Sequence, residues 1–167
     1  DRTGRIHLSS TISVGPNKTV DGRGGGLVTL TGGDFGLLRI DGDQGSHNVI
    51  INHIAFEHHP ENEGTQCDDC SDSVQLRNGT TEVWIHHAAF RYCGDECLDA
   101  GQQSTNLTVS WSRFTDAYYA NLIGSSKVPE DRVMRVTMHH NFYARVQRRS
   151  PRVSTGRLHF FNNYVRN

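Results

Sequence analysis

The chain has 167 residues, which fit one domain, and its 35% hydrophobic and 8% aromatic content is too apolar for a disordered protein. Its 17 Lys and Arg and 18 Asp and Glu give a net charge of -1, so no global field draws it onto nucleic acid or an anionic membrane. No apolar run reaches the roughly 18 residues that a membrane helix needs. We therefore expect one folded, turn-rich domain over residues 1–167. The start at Asp1, without Met or a signal-peptide pattern, is typical of a processed or trimmed product.

The N-terminal part is predicted to form short strands separated by turns. The strands are expected at 6–8, 11–14, 19–20 and 27–30. The glycine-rich stretch 22–26 is interpreted as a turn. It does not fit a phosphate-binding loop, because no helical segment follows it.

An eight-residue pattern then recurs five times. The copies are VIINHIAF at 49–56, VWIHHAAF at 83–90, LTVSWSRF at 107–114, VTMHHNFY at 136–143 and LHFFNNYV at 158–165. Successive starts at 49, 83, 107, 136 and 158 differ by 34, 24, 29 and 22 residues, which indicates short rungs with variable insertions. The first and third positions are apolar in every copy, as in a strand with one buried face.

Second short strands are predicted between these copies. They lie at 73–76, 97–100, 121–124 and 151–153, while 57–71 and 125–132 are interpreted as inserted loops. Rungs with at least two strands each stack into parallel sheets coiled about one axis, so the sequence predicts an all-β, single-stranded solenoid, a parallel β-helix. The sixth position of the later copies holds Ser112, Asn141 and Asn163, which predicts a ladder of polar side chains at a bend.

The four cysteines are confined to one region of the chain. They are the disulfide candidates Cys67, Cys70, Cys93 and Cys97, whose CxxC and CxxxC spacings also leave zinc open as an alternative. Three N-x-Ser/Thr sequons begin at Asn17, Asn78 and Asn106 and favour a secreted, extracellular glycoprotein. In an oxidising compartment we expect two disulfides, with three connectivities open.

The ten histidines include the adjacent pairs His58/His59, His86/His87 and His139/His140. Adjacent residues of a strand point to opposite faces of the sheet. We therefore do not expect any of these three pairs to chelate one metal ion through both rings on a single face.

In their order along the chain, several motifs resemble the pectate lyases of polysaccharide lyase family one. They are NKTVDGRG at 17–24, NVII at 48–51, DSVQL at 72–76, VWIHH at 83–87, GDECLD at 94–99, LIG at 122–124, VTMHHN at 136–141, RSPRVSTG at 149–156, His159, and NNY at 162–164. The resemblance implies a right-handed parallel β-helix. It also implies that the family's usual N-terminal segment and C-terminal tail are absent or very short in this chain.

The resemblance also implies a chemistry. Ca2+ would be held by Asp72, Asp95 and Asp99, and Arg149 would take the proton alpha to a uronate carboxylate, so that an acidic polysaccharide is cleaved by β-elimination. Hard oxygen ligands suit Ca2+, and a bound cation makes that proton easier to remove. Guanidinium is normally always protonated, so a lowered pKa or a role in stabilising the developing charge is required of Arg149.

The chain departs from the family pattern at positions that are usually cationic. Tyr119 stands where the family commonly has a substrate-binding lysine, and Ser154 stands where it has a second arginine. His86 replaces an aspartate. Arg152 and Lys127 are nearby candidates to bind the substrate in their place.

These departures keep a second function open. The first hypothesis is the Ca2+-dependent lyase, and the alternative is a non-catalytic β-helix module with a structural or carbohydrate-binding role. A hydrolase that uses Asp95 and Asp99 as paired carboxylates is a third and weaker reading.

Overall fold

A computed structural model describes residues 4–24, 27–59 and 70–166 of the chain. The strands in these ranges are β1 (Arg5–His7), β2 (Ile12–Ser13), β3 (Lys18–Asp21), β4 (Val28–Thr31), β5 (Leu38–Asp41), β6 (His47–Asn52), β7 (Ile54–Glu57), β8 (Val74–Arg77), β9 (Thr81–His86), β10 (Ala89–Arg91), β11 (Glu96–Ala100), β12 (Thr105–Ser110), β13 (Arg113–Ile123), β14 (Arg135–His139), β15 (Phe142–Arg148), β16 (Arg152–Val153), β17 (Arg157–Phe161) and β18 (Tyr164–Arg166). Short 3-10 helices cover Gly42–Gln44 and Pro129–Val133. Within the described part of the chain, no helix is long and apolar enough to cross a membrane.

The strands form a right-handed parallel β-helix with three sheet faces. Sheet 1 has the order β17-β14-β12-β9-β6-β3. Sheet 2 contains β1, β4, β7, β10, the first part of β13, β15 and β18, and sheet 3 contains β2, β5, β8, β11, the last part of β13 and β16. Sheets 2 and 3 are continuous through β13, which bends from one into the other. The predicted fold class is confirmed.

The strand register confirms the alignment of the repeats. Val83 lies opposite Val49 on one side and Leu107 on the other, and Leu107 in turn lies opposite Val136. Equivalent positions of the pattern therefore stack directly along the helix axis, as the repeat predicted.

The eight-residue pattern is not one strand, however. Its fifth residue adopts the left-handed conformation in every copy, with φ of 54° at His53, 52° at His87, 53° at Trp111, 55° at His140 and 52° at Asn162. This turns the chain from sheet 1 into sheet 2. The sequence predicted at least two strands per rung without locating this bend, and the structure has three, because the alternation of apolar residues resumes directly after a one-residue bend.

The core fills the inside of the coil. Phe56, Phe90, Phe114 and Tyr143 stack in successive rungs with ring centroids 4.7–4.9 Å apart, and all four are fully buried. The rung spacing of a parallel sheet is also about 4.8 Å, so aromatic stacking and strand pairing reinforce each other.

The predicted polar ladder is also confirmed. The backbone N–H of Ser112 donates to Asn141 Oδ1 at 2.9 Å, and the N–H of Asn141 donates to Asn163 Oδ1 at 2.9 Å. These side chains satisfy backbone groups that the bend between sheets 1 and 2 takes out of the strand ladders.

The sequence analysis missed β5, which pairs with β2 and β8 in sheet 3. The loop predicted at 125–132 contains the 3-10 helix Pro129–Val133. The predicted loop at 57–71 lies largely outside the described residues.

Candidate functional site

The carboxylates of the candidate site come together on sheet 3. Asp72 lies just before β8, while Glu96 and Asp99 lie on β11, the neighbouring strand. One oxygen atom from each of these three side chains falls within 4.8 Å of the other two. Parallel pairing of consecutive rungs thus brings Asp72 to two carboxylates that lie 24 and 27 residues later in the sequence.

Asp72 is the most firmly held of the three. It is buried, its Oδ1 accepts from the backbone N–H of Glu96 at 3.0 Å, and its Oδ2 accepts from Gln75 at 2.9 Å. This side chain is fixed by its neighbours before any ligand arrives.

Arg77 lies between the two aspartates. Its guanidinium donates to Asp99 Oδ2 at 2.6 Å and to Asp72 Oδ2 at 3.3 Å. It therefore supplies one positive charge between two of the carboxylates that the family resemblance assigns to Ca2+, Asp72 and Asp99.

One arginine does not neutralise the cluster. Burial raises the pKa of Asp72 to about 6, and repulsion from Asp95 adds to this, while Gln75 and Arg77 act against it. Burial also raises the pKa of Asp99, against the hydrogen bond from Arg77. Burial is the main cause of both shifts, and the three carboxylates carry more formal negative charge than Arg77 and Arg149 balance. Hard oxygen donors with excess negative charge fit Ca2+.

Arg149 lies beside this cluster, directly after β15. Its backbone carbonyl accepts from the N–H of Asn121 at 2.7 Å, which fixes the backbone against β13. Its guanidinium forms an ion pair with Glu96 and lies 3.6 Å above the ring centroid of Tyr119. Burial lowers the pKa of Arg149, and the charge of Arg152 lowers it further, while Asp95 and Asp72 act in the opposite direction.

The other predicted site residues surround this centre. Asp95 interacts electrostatically with Asp72 and Arg149 but lies outside the three-carboxylate group. Tyr119 is only 7% exposed and pairs in register with Glu96. Arg152 is exposed on β16, and Lys127 is exposed in the loop after β13.

The sequence analysis missed Glu96, Arg77 and Gln75. Gln75 and Asp99 are register partners on sheet 3, with Arg39 and Arg152 farther along the same row. The alternation of apolar and polar residues in β8 predicts that its polar side chains lie on the outer face of the sheet. It could not show that Arg77 reaches across to the next rung.

Cys93 and Cys97 form a disulfide that closes the turn carrying Asp95 and Glu96. Cys70 is also disulfide-bonded, and Cys67 lies outside the described residues. The bond between Cys93 and Cys97 contradicts the zinc alternative for these two residues, because neither thiolate is available to a metal.

The three sequon asparagines all have positive φ, Asn17 and Asn78 between strands and Asn106 near the start of β12. Asn17 and Asn106 are exposed. Asn78 is half-buried, and its side-chain amide donates to buried Asp41 at 2.8 Å.

Comparison with known proteins places this arrangement in a family. The family model described as pectate lyase matches residues 7–167. This chain belongs to the pectate lyase family. The resemblance drawn from the sequence motifs is confirmed.

Individual pectate lyases show the same relationship. A probable pectate lyase of Solanum lycopersicum is 30% identical over 97% of this chain and 42% of its own length, and probable pectate lyase 6 of Arabidopsis thaliana is 32% identical over 95% and 36%. A solved structure of a thermostable pectate lyase is 27% identical, with a TM-score of 0.76 over 93% of this chain and 42% of its own. The chain therefore spans less than half the length of these pectate lyases.

Proposed function

We propose that this chain is a secreted, Ca2+-dependent polysaccharide lyase that cleaves uronate-containing, pectate-like polymers by β-elimination. The observation that carries the proposal is the position of Arg149 beside the buried carboxylates Asp72, Glu96 and Asp99 on sheet 3. Membership of the pectate lyase family supports the same reaction class.

We propose that Asp72 and Asp99 hold the cation, with Glu96 or Asp95 as a further ligand. When bound, Ca2+ would neutralise a uronate carboxylate and acidify the proton alpha to it. The raised pKa values of Asp72 and Asp99 support this assignment, because a bound cation would stabilise the charged carboxylates that burial disfavours.

Arg149 would accept the proton from the carbon alpha to the carboxylate. The electron pair of that C–H bond then forms the new carbon–carbon double bond, and the glycosidic oxygen leaves and takes a proton from water. A base must be neutral to accept a proton, and the burial of Arg149 and the nearby charge of Arg152 both favour the neutral guanidine. The same side chain, once protonated, faces the developing negative charge.

Arg152 and Lys127 would attract the acidic polysaccharide. Both are exposed, so each contact is expected to be modest and sensitive to salt. Tyr119 lies beneath Arg149, and we assign it to positioning that guanidinium against the sugar rather than to a direct ionic contact.

A second function, that of a non-catalytic carbohydrate-binding module, is favoured by one observation. The ion pair between Arg149 and Glu96 stabilises the protonated guanidinium, which cannot act as a base. Ser154 in place of a second arginine favours the same alternative. In this case the acid cluster would bind Ca2+ and a uronate chain without cleaving it.

Ultraviolet absorbance of the unsaturated uronate product distinguishes the two. The assay uses polygalacturonate and other polyuronates, with Ca2+ and with chelator, for the wild type, Arg149→Ala and Arg148→Ala. Arg148 is the matched control, because it is adjacent and cationic but exposed and lies over Tyr118. We expect a chelator-sensitive signal that only Arg149→Ala abolishes. If folded protein that still binds Ca2+ gives no increase in absorbance on any substrate, the binding module would be supported.

We also propose that the protein is an extracellular glycoprotein modified at Asn17 and Asn106. Glycosylation of Asn78 would attach the glycan to the half-buried nitrogen that donates to buried Asp41, so we expect that sequon to stay unmodified. Peptide mapping after secretion from a eukaryotic host tests this. A glycan on Asn78, with or without glycans at the other two sites, would contradict it.

A further inference from the structure

Two histidine pairs lie at the bend between sheets 1 and 2, away from the acid cluster. The Nδ1 atoms of His86 and His87 are 3.0 Å apart, and those of His139 and His140 are 2.8 Å apart. None of the four residues is buried. In each pair, two imidazole nitrogens therefore meet at an accessible surface.

The expectation that adjacent histidines cannot bring both rings together was wrong for these two pairs. His87 and His140 are the bend residues with left-handed backbone, at φ of 52° and 55°. A left-handed residue breaks the alternation of a strand, so its side chain turns toward the side chain before it. The pairing follows from the bend and is repeated wherever two histidines occupy it. For His58/His59 the outcome differs, since the His58 ring is turned to the carbonyl of Gly33 at 3.2 Å.

The rings at the bend also stack from rung to rung. His53 stacks on His87 at 4.7 Å with an interplanar angle of 8°, and Trp111 stacks on His140 at 4.3 Å and 15°. Stacked rings cover one another's faces and leave their edges outward. A sugar-binding platform needs an open aromatic face, whereas a metal ion needs the nitrogen atoms on the ring edge. The arrangement favours the metal.

The separation of the nitrogens selects the class of ion. With metal–nitrogen bonds of about 2.0–2.1 Å, Nδ1 atoms 2.8–3.0 Å apart subtend about 90° at a shared ion. A tetrahedral centre such as Zn2+ would need roughly 3.3 Å, whereas tetragonal Cu2+ and Ni2+ accept right angles. We propose that each pair, His86 with His87 and His139 with His140, chelates one late first-row divalent metal ion, Cu2+ most tightly.

Water would complete each coordination shell. Among residues 4–24, 27–59 and 70–166, the acid cluster is the one group of three or more possible ligand atoms within 4.8 Å of one another. In the metal-free pair, one Nδ1 carries a proton toward the other. Binding moves that proton to Nε2 of the same ring, so both Nδ1 lone pairs become available and the charge of the pair is unchanged. Partial shielding of the rings from solvent lowers the pKa of His86, His87 and His139, which favours their neutral form.

The test is a Cu2+ titration monitored by electron paramagnetic resonance, in saturating Ca2+ so that the acid cluster does not compete. The variants are His87→Asn, His140→Asn and the double variant. Asparagine suits this position, because Asn162 occupies the equivalent bend one rung beyond His140 with the same left-handed backbone. His7→Asn, which changes an exposed histidine outside both pairs, is the control.

We expect two Cu2+ ions per wild-type chain, with nitrogen hyperfine coupling from two imidazoles at each. Either single variant should lose one ion, the double variant both, and His7→Asn neither. Unchanged stoichiometry in the double variant, or a spectrum with oxygen ligands only, would overturn the proposal. Because Asp72, Asp99 and Arg149 are untouched, the outcome is independent of the lyase activity.

Discussion

Arg149 forms an ion pair with the buried carboxylate of Glu96. Burial and Arg152 lower the pKa of this guanidinium, whereas a carboxylate in direct contact favours its charged form. The residue in the position of a base is therefore held between two opposing influences, and Glu96 is the carboxylate in direct contact with it.

Replacing Glu96 with glutamine is expected to raise kcat for β-elimination. The substitution keeps the shape and a hydrogen-bonding group but removes the negative charge that stabilises protonated Arg149. A charge-assisted contact is worth about 1.5–3 kcal/mol, so we expect an increase of roughly ten- to a hundredfold. The measurement is initial rate of unsaturated product at saturating Ca2+, which offsets any loss of a metal ligand.

Glu96→Asp is the control for this experiment. It retains the charge, so it should not raise kcat even though it shortens the side chain. A fall in kcat for Glu96→Gln would mean that the ion pair serves to position Arg149.

Arg77→Gln is expected to tighten Ca2+ binding about tenfold. The guanidinium of Arg77 bridges Asp99 and Asp72 and so competes with a cation for the same oxygens. Without Arg77, the carboxylates of Asp72 and Asp99 repel each other in the metal-free protein. The melting temperature of the variant in chelator should therefore be lower than that of the wild type. Adding Ca2+ should raise the melting temperature of the variant by more than it raises that of the wild type.

Isothermal titration with Ca2+ measures the affinity. Arg39→Gln is the matched control, since Arg39 lies on the adjacent strand of sheet 3 but forms its ion pair with Asp41. Weaker Ca2+ binding by Arg77→Gln would show instead that Arg77 holds the carboxylates in place for the metal.

Much of the fold was predictable because each rung of the solenoid repeats the same pattern of apolar and polar residues. Stacking Val83 on Val49 and Leu107 requires the same apolar alternation in each copy, and that alternation is visible in the sequence. The bend was missed because histidine, tryptophan and asparagine hold it. Glycine is the usual sequence signal for left-handed backbone, and none of the five bend residues is glycine.

The site was predictable only where a motif carried it. Asp72, Asp99 and Arg149 were named from family motifs, and the structure brings them to one surface. Arg77 belongs to no such motif, and its role depends on a contact 22 residues along the chain with Asp99. That contact is set by rung register, which a single strand pattern does not specify.

His58 should make the folded state sensitive to acid. It is 2% exposed, its Nδ1 faces the carbonyl of Gly33, and burial lowers its pKa below the ordinary 6.5. Above about pH 6.5 the ring is neutral in both folded and unfolded chains. As the pH falls below that value, His58 takes up a proton in the unfolded chain before it does so in the folded protein. The free energy of unfolding therefore decreases as the pH falls from about 6.5 to the lower pKa of the folded state.

Denaturant unfolding of wild type and His58→Gln between pH 7.5 and 5 measures this contribution. Glutamine keeps an N–H for Gly33 but does not titrate, so the variant should lose less stability on acidification. His47→Gln, at an exposed position, should follow the wild type. Parallel curves for all three proteins would contradict the assignment to His58.

Asn141→Ala is expected to destabilise the fold by about 2–6 kcal/mol. The Asn141 side chain accepts from the N–H of Ser112 at 2.9 Å and donates to the carbonyl of Val109 at 3.0 Å, and the residue is buried. Each buried group left without its partner costs about 1–3 kcal/mol. Asn163→Ala is the comparison, because Asn163 makes the same kind of contacts one rung later but is half-buried, so water can replace it. Equal losses in the denaturation midpoints of the two variants would show that burial does not control the strength of the ladder.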